Sequence, residues 1–321
     1  MEFLLENKIN FRGLKSSWIF SILFIIGFAS CEEVVTPPDL NHPPSLVVEA
    51  YIESSASGST PVYAILTESY SFSDTIGLNT IESKFVRGAT VYVAYGSDSI
   101  QLQELCLSDL PEPVRVEVLK SLGYSIDSVT IDFCIYADLQ NLIDPERQKE
   151  YRFHAYAGNR YAHASVIIPD YVPLDSIWFE KAPGNPPDSF VQMFCYIKDP
   201  PINNFYRYFT QVSNSRFVAG VSSVVDDAFF NGQEFKFTLN RALSANEEFD
   251  ETTGLWKLGD TVAVKWCLID QSQYDFWNTL EVSKQRQGPF SSYIRINGNV
   301  DGALGVWAGS SCEIYKVIVK K

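Results

Sequence analysis

Tyr151–Pro169, YRFHAYAGNRYAHASVIIP, is the stretch that decides the class of fold. Two runs rich in aromatic and β-branched residues flank Gly158-Asn159, a pair whose tolerance of turn dihedrals joins antiparallel strands as a hairpin. The same texture recurs upstream in Ser45–Glu53 (SLVVEAYIE) and Pro61–Ser69 (PVYAILTES), with Ser54–Thr60 as punctuation. Val86-Arg87-Gly88 introduces Ala89–Tyr95 (ATVYVAY), and Ile131–Ala137 is a further strand. Five or more short strands at turn-punctuated spacing predict an immunoglobulin-like β-sandwich over 45–168. A small helical insertion interrupts it. Ser108 or Asp109 caps that helix, Pro111 and Glu112 sit in its first turn, Val114, Val118, Leu119 and Leu122 form its apolar stripe, and Gly123 stops it.

Pro169–Pro173 (PDYVP) reads as a joint, after which 174–321 forms a second β-rich domain. Its expected strands are Leu174–Glu180, Phe190–Lys198, Phe205–Ser213, Glu234–Leu239, Leu255–Leu258, Thr261–Ile269, Tyr293–Ile296, Ala303–Ala308 and Glu313–Val319. The three prolines of Lys181–Asp188 (KAPGNPPD) forbid a strand there. One helix runs from Ser272 to about Gln285. Ser272 with Asp275 suits a capping box, and Tyr274, Trp277 and Leu280 recur at three-residue spacing. Gly288-Pro289 ends it. The expectation is an all-β chain whose second domain is an antiparallel sandwich or barrel with one covering helix.

The first 44 residues speak of location. Lys8, Arg12 and Lys15 precede an apolar run from Trp18 to Phe28, closed by Ala29-Ser30-Cys31, the order of a secretory signal over residues 1–30. The run is too short for a bilayer span, which needs about 20 residues. Phe-Ala-Ser-Cys resembles a bacterial lipobox, in which the Cys31 thiol is acylated; this reading is preferred to an ordinary signal peptide followed by a chance cysteine. Residues 31–44 then form a tether. Glu32–Pro44 holds four prolines in thirteen residues, and such extended chain could reach about 40 Å from the membrane. Glu32-Glu33 resembles the acidic surface-export signals of Bacteroidota lipoproteins, or is simply a solvated linker end.

The net charge of −14 argues against nucleic acid, whose phosphates demand an excess of Lys and Arg. It also argues against electrostatic adhesion to anionic lipid, so membrane attachment would rest on the lipid at Cys31. A hydrophobic content of 46% is enough to fill real cores, so the chain is no disordered stalk. Besides Cys31 there are Cys106, Cys134, Cys195, Cys267 and Cys312. An odd remainder leaves a free thiol or an intermolecular bond. Cys106 and Cys134 flank the insertion and are the preferred disulfide, against five buried free cysteines. No CxxC occurs.

Catalytic motifs are missing: there is no HExxH, GxSxG or phosphate-cradling glycine loop. Of the histidines, His42 lies in the tether. His154 and His163 could face each other across the hairpin and hold a metal, although half-exposed strand positions are the commoner case. Asp226, Asp227 and Asn231 offer clustered oxygens for calcium, but an Asx-rich turn explains them better. Tyr206, Tyr208 and Phe209, like Tyr274, Phe276 and Trp277, could floor a cleft, yet their spacing is that of core packing. Asn297–Gly309 carries four glycines and reads as a ligand-contact loop or a tight corner.

Several segments together resemble the DUF4249 lipoproteins of the Bacteroidota outer membrane: the lipobox, Tyr151–Phe179, Phe194–Phe209 (FCYIKDPPINNFYRYF), Asp226–Phe237, Leu255–Asp270, Tyr274–Leu280 and Gly288–Gly309. The resemblance transfers no activity. It implies a context, that of proteins accompanying TonB-dependent receptors and assisting uptake or surface binding. The expectation is a non-enzymatic binding accessory, without cofactor, lipid-anchored in the outer membrane and facing the cell exterior. A structural or adhesion module is the alternative. The ligand is not legible.

Overall fold

The computed structural model describes residues 43–56, 60–70, 77–121, 132–213, 215–243, 247–285 and 294–320. The expected signal sequence, Cys31 and the expected tether as far as His42 lie outside the described residues, as do Leu122, Gly123 and Gly288-Pro289. Among the described residues the strands are β1 (Leu46–Ser54), β2 (Tyr63–Glu68), β3 (Thr90–Tyr95), β4 (Asp98–Cys106), β5 (Cys134–Ala137), β6 (Glu150–Ala157), β7 (Arg160–Ile167) and β8 (Leu174–Lys181). They continue with β9 (Phe190–Lys198), β10 (Phe205–Val212), β11 (Val218–Asp226), β12 (Glu234–Leu239), β13 (Trp256–Lys257), β14 (Thr261–Ile269) and β15 (Leu304–Ile318). The helices are α1 (Leu78–Glu82), α2 (Glu112–Ser121) and α3 (Gln271–Gln285). The protein is a mostly-β sandwich.

The opening hairpin forms as β6–β7. Ala157 pairs Arg160 at the turn and Glu150 pairs Ile167 at the far end, with Gly158 at φ +63°. One path of hydrogen-bonded strands runs β11-β10-β14-β15-β1-β2-β5-β4-β3-β6-β7. β4 lets this path fold over itself. Its first half pairs β3 through Leu102, and its second half, Gln103–Cys106, pairs β5. The first core fills the fold: Val48, Ala50 and Ile52 of β1 and Leu66 of β2 cluster with Val91 and Val93 of β3 and Phe153 of β6. Trp307 of β15 belongs to it, fully buried, with its ring 5.4 Å from Phe153. Its Nε1 donates to Tyr151 O at 3.0 Å, so the polar edge of the indole is satisfied inside the core.

The second core lies between β10, β14 and the end of β15 on one side and the sheet β12-β9-β13, with β8 on β9, on the other. Val191, Met193, Cys195 and Ile197 of β9 face Tyr206, Val264, Trp266 and Leu268. The expected boundary at 169–173 does not part the two cores: Val300 and Trp307 belong to the first core, and strand pairing crosses the boundary. β1 pairs β15 in parallel, and Pro43–Lys321 is one compact unit.

The strands expected over Ala303–Ala308 and Glu313–Val319 are a single element, Leu304–Ile318. Its first half pairs β1 and its second half pairs β14 antiparallel from Ser310 onward. Gly305 permits the close approach. At φ +112°, a Cβ there would stand 1.8 Å from Val48 O. Two strands not expected from the sequence are β4 and β11, whose polar residues break the alternation. Ile294–Ile296 has no regular structure, where a strand was expected.

Disulfides join Cys106 to Cys134 and Cys267 to Cys312. Each links residues directly opposite on neighbouring antiparallel strands. Cys195 is free and buried in the second core.

Candidate functional site

β14 is buried on both faces. Val262, Val264, Trp266 and Leu268 enter the second core, while Cys267 and Ile269 face the other way, where Tyr274 and Trp277 of α3 pack against them. The alternation of β10 matches this arrangement. Tyr206 and Tyr208 point into the second core, whereas Phe205 and Phe209 lie on the helix side. Asp270, at the end of β14, starts α3. Its Oδ1 accepts from Gln273 N at 2.6 Å and from Ser272 Oγ at 2.9 Å. The cap is thus Asp270 rather than the expected Ser272. Glu281 fastens the helix to β11, accepting from Ser223 N at 3.0 Å and Ser223 Oγ at 2.5 Å.

Between α3 and the sheet a cavity of about 320 Å³ remains, reaching from β10 and β14 to Tyr51 and Glu53 of β1 and Tyr63 of β2. Arg207 is at its wall, only 6% exposed. The guanidinium carbon stands 3.6 Å from the Trp277 ring centroid and 4.7 Å from that of Phe209. Nε donates to Ser223 Oγ at 3.2 Å, and among the described residues no carboxylate forms an ion pair with this cation. Burial pushes the Arg207 pKa down to about 10, against the opposing influence of Tyr51, Glu281 and Glu49.

The second cation is already matched. Lys265 Nζ donates to Glu53 Oε2 at 2.5 Å, and both side chains are largely buried. The Cys267–Cys312 disulfide also lines the cavity. Gln273, 3% exposed, lines it with its Oε1 unpartnered, and Trp277 lines it with Nε1 unpartnered. Buried polar atoms without partners are rare because each forfeits hydration without recompense. Here two of them belong to side chains that line the same cavity.

A larger hollow of about 400 Å³ lies under the loop Lys181–Asp188. Of the carboxylates that line it, Glu180 and Asp188, Glu180 is occupied, accepting from Lys236 Nζ and Trp178 Nε1, each at 2.7 Å.

The histidines of the hairpin are directly opposed on β6 and β7. His154 Nδ1 is 2.8 Å from Tyr161 Oη, and its ring stacks on Tyr92 at 5.0 Å. Burial, then the neighbouring charges of His163 and Arg152, holds its pKa below the usual histidine range. His163 Nδ1 stands 3.8 Å from Asp301 Oδ2. Among the described residues, the one grouping of His, Cys, Asp and Glu with metal-type spacing is Glu104, Cys106 and Cys134. Its two cysteines are bonded to each other.

The calcium candidates have structural partners. Asp227 Oδ2 accepts from Asn204 N at 2.7 Å, and Asp226 Oδ2 accepts from Tyr274 Oη at 3.1 Å. Asn231 Nδ2 donates to Asn203 Oδ1 at 3.1 Å. The Asp227 and Asn231 bonds tie the turn after β11 to the one before β10, and the Asp226 bond ties the end of β11 to α3. Asn297–Gly309 contains a clamp: the Asn299 side chain accepts from Trp307 N and donates to Trp307 O, each at 2.9 Å.

Of the aromatic candidates, Tyr206 is core and its hydroxyl donates to Asp199. Phe209 and Trp277 line the cavity, and Phe276 stands edge-on to Trp277 at 5.1 Å. Sequence reasoning missed Arg207, Lys265, Glu53 and Gln273. The available signal was a charge inside an otherwise buried strand, as in FYRYF and VKWC.

The fold and cavity define a class: a β-sandwich protein with two cores and a pocket of cations and aromatic rings under a covering helix. The family model for DUF4249, a domain of unknown function, matches residues 32–313, and the chain belongs to that family. No curated protein matches it.

Proposed function

We propose that this protein is an outer-membrane lipoprotein, anchored through an acylated Cys31 and turned to the cell exterior, that binds a ligand without transforming it. In this reading it serves a TonB-dependent receptor in uptake. The order of Lys8, Arg12, Lys15, the apolar run and Cys31 supports the anchor. The observation that carries binding is Arg207, a buried cation at the wall of a cavity, which forms no ion pair among the described residues. The groups gathered there are those of recognition: a guanidinium, an amide and an indole N–H beside aromatic walls. The local carboxylate, Glu53, is committed to Lys265. The free thiol Cys195 is held in the second core, where burial pushes its pKa to about 12, far from a reactive thiolate. No helix among the described residues is long and apolar enough to cross a membrane, a statement that does not bear on β-barrels.

The test is fractionation of cells carrying the wild type or Cys31→Ala. Release of the variant from outer membranes, and recovery of a TonB-dependent barrel with the gently solubilised wild type, are the expected results. A variant that stays membrane-bound removes the anchor. A wild type that purifies alone removes the receptor partnership.

A further inference from the structure

The cavity under α3 has a chemistry specific enough to name a ligand class, and this step rests on reading it as a binding site. Lys265 and Glu53 cancel each other at 2.5 Å. Two further carboxylates, Glu281 and Glu49, act on Arg207 electrostatically. Each is occupied by a hydroxyl, of Ser223 and Tyr51 respectively, at 2.5 Å. Neither forms an ion pair with the guanidinium. One face of that guanidinium lies against Trp277 and its Nε is spent on Ser223. The planar group keeps in-plane N–H donors, whose geometry matches the two oxygens of a carboxylate.

The other wall groups narrow the class. Trp277 Nε1 is a donor that a carboxylate oxygen would satisfy, whereas Gln273 Oε1 is an acceptor and calls for a donor, not for a carboxylate. Tyr51, Tyr63, Phe209 and Phe217 supply apolar surface for the rest of the molecule. About 320 Å³ is at the small end of ligand pockets. A single unpaired cation suits a monoanion better than a phosphate dianion. We infer that the cavity takes a small organic monocarboxylate with an aromatic or apolar body, its carboxylate on Arg207 and its body among the rings.

The exposed ring cluster on β3, β6 and β7 presents a weaker case. Tyr92, His154, Tyr156 and Tyr161 stack on one another at 4.6–6.2 Å, so their faces are turned to each other.

The test uses the full-length chain in detergent. Probes are acetate, benzoate and phenylacetate, the amides of the last two, and inorganic phosphate. Benzoate or phenylacetate should raise Tm and quench tryptophan fluorescence, while the matching amide and phosphate do neither. Arg207→Lys should weaken carboxylate binding roughly tenfold or more, because a bidentate charged contact is lost. Trp277→Phe keeps the stacking surface, loses the N–H donor and should abolish most of the quench. If the Arg207 variant does not fold, the acid-amide contrast and Trp277→Phe decide. The proposal is overturned if no carboxylate binds at millimolar concentration, if amides bind as well as acids, or if Trp277→Phe leaves both affinity and quench unchanged. Because Cys31→Ala should bind the probes as the wild type does, failure here with receptor recovery intact removes the ligand class and leaves the anchored accessory standing.

Discussion

At the scale of single residues, the cavity is a case of charge placed where alternation calls for an apolar side chain. Phe209 lies opposite Lys265, and Arg207 lies opposite Cys267, so both cations share one face of the sheet. Glu53 reaches Lys265 from a position 212 residues earlier in the chain. Removing one member strands the other in a poorly solvated place. Lys265→Met should therefore cost about 2–3 kcal/mol, somewhat less than a fully buried pair. Adding Glu53→Leu should restore much of that loss, as urea unfolding of the single and double variants would reveal. A double variant no more stable than Lys265→Met would show that the pair is not coupled. His154 gives a pH prediction. Its folded-state pKa is lowered, chiefly by burial, so the unfolded chain takes up the proton first. Stability should then be complete at neutral pH and fall as pH drops through the unfolded value near 6.5. Tyr92, Tyr161, His163 and Arg152 face this ring. His154→Gln should flatten the loss of Tm between pH 7.5 and 5.5, and an unchanged slope would assign it elsewhere.

At the scale of elements, α3 shows where local pattern is informative and where it stops. Spacing of Tyr274, Trp277 and Leu280 marks a helix of nearly the observed length. Its first residue is another matter, because Asp270 and Ser272 are both good caps and the choice depends on where β14 ends. Asp270 is chosen because its carboxylate reaches Gln273 N. Asp270→Ala should cost about 1 kcal/mol, the usual value of an N-cap. It should also loosen Gln273, which the cap holds at the cavity wall, and amide exchange in the first turn of α3 should rise more than in its last turn. Equal rises at both ends would mean that Glu281, rather than the cap, sets the helix. The aromatic spacing that marked the helix could not show that Trp277 lines a cavity and not a closed core. One stripe serves either purpose, and the difference is made by what stands across from it.

At the scale of the whole molecule, β15 is the shared member. Its first half contributes Trp307 to one core and its second half packs Tyr315 and Val317 against the other. Disrupting either end should therefore be felt in both. Amides of Phe153 in β6 and Met193 in β9 should lose exchange protection together as urea is raised, the behaviour of one cooperative unit. Widely separated midpoints would mean that the cores unfold independently. Gly305→Ala forces a Cβ onto Val48 O, and its cost should exceed about 4 kcal/mol, beyond the range of ordinary substitutions. The loss should register at both amides.

The sequence by itself determined the β class, the Tyr151–Pro169 hairpin and the single long helix. These are written in local periodicity, because burial of one face of a strand or helix imposes a repeat on neighbouring residues. Only the tertiary structure decided that β1 lies beside β15, that β4 turns from one sheet half to the other, and that Glu53, Arg207, Lys265, Gln273 and Trp277 meet. Each of those contacts joins positions far apart in the chain. A lone Arg or Lys inside a strand announces that something must offset its burial, but its own neighbours do not say what.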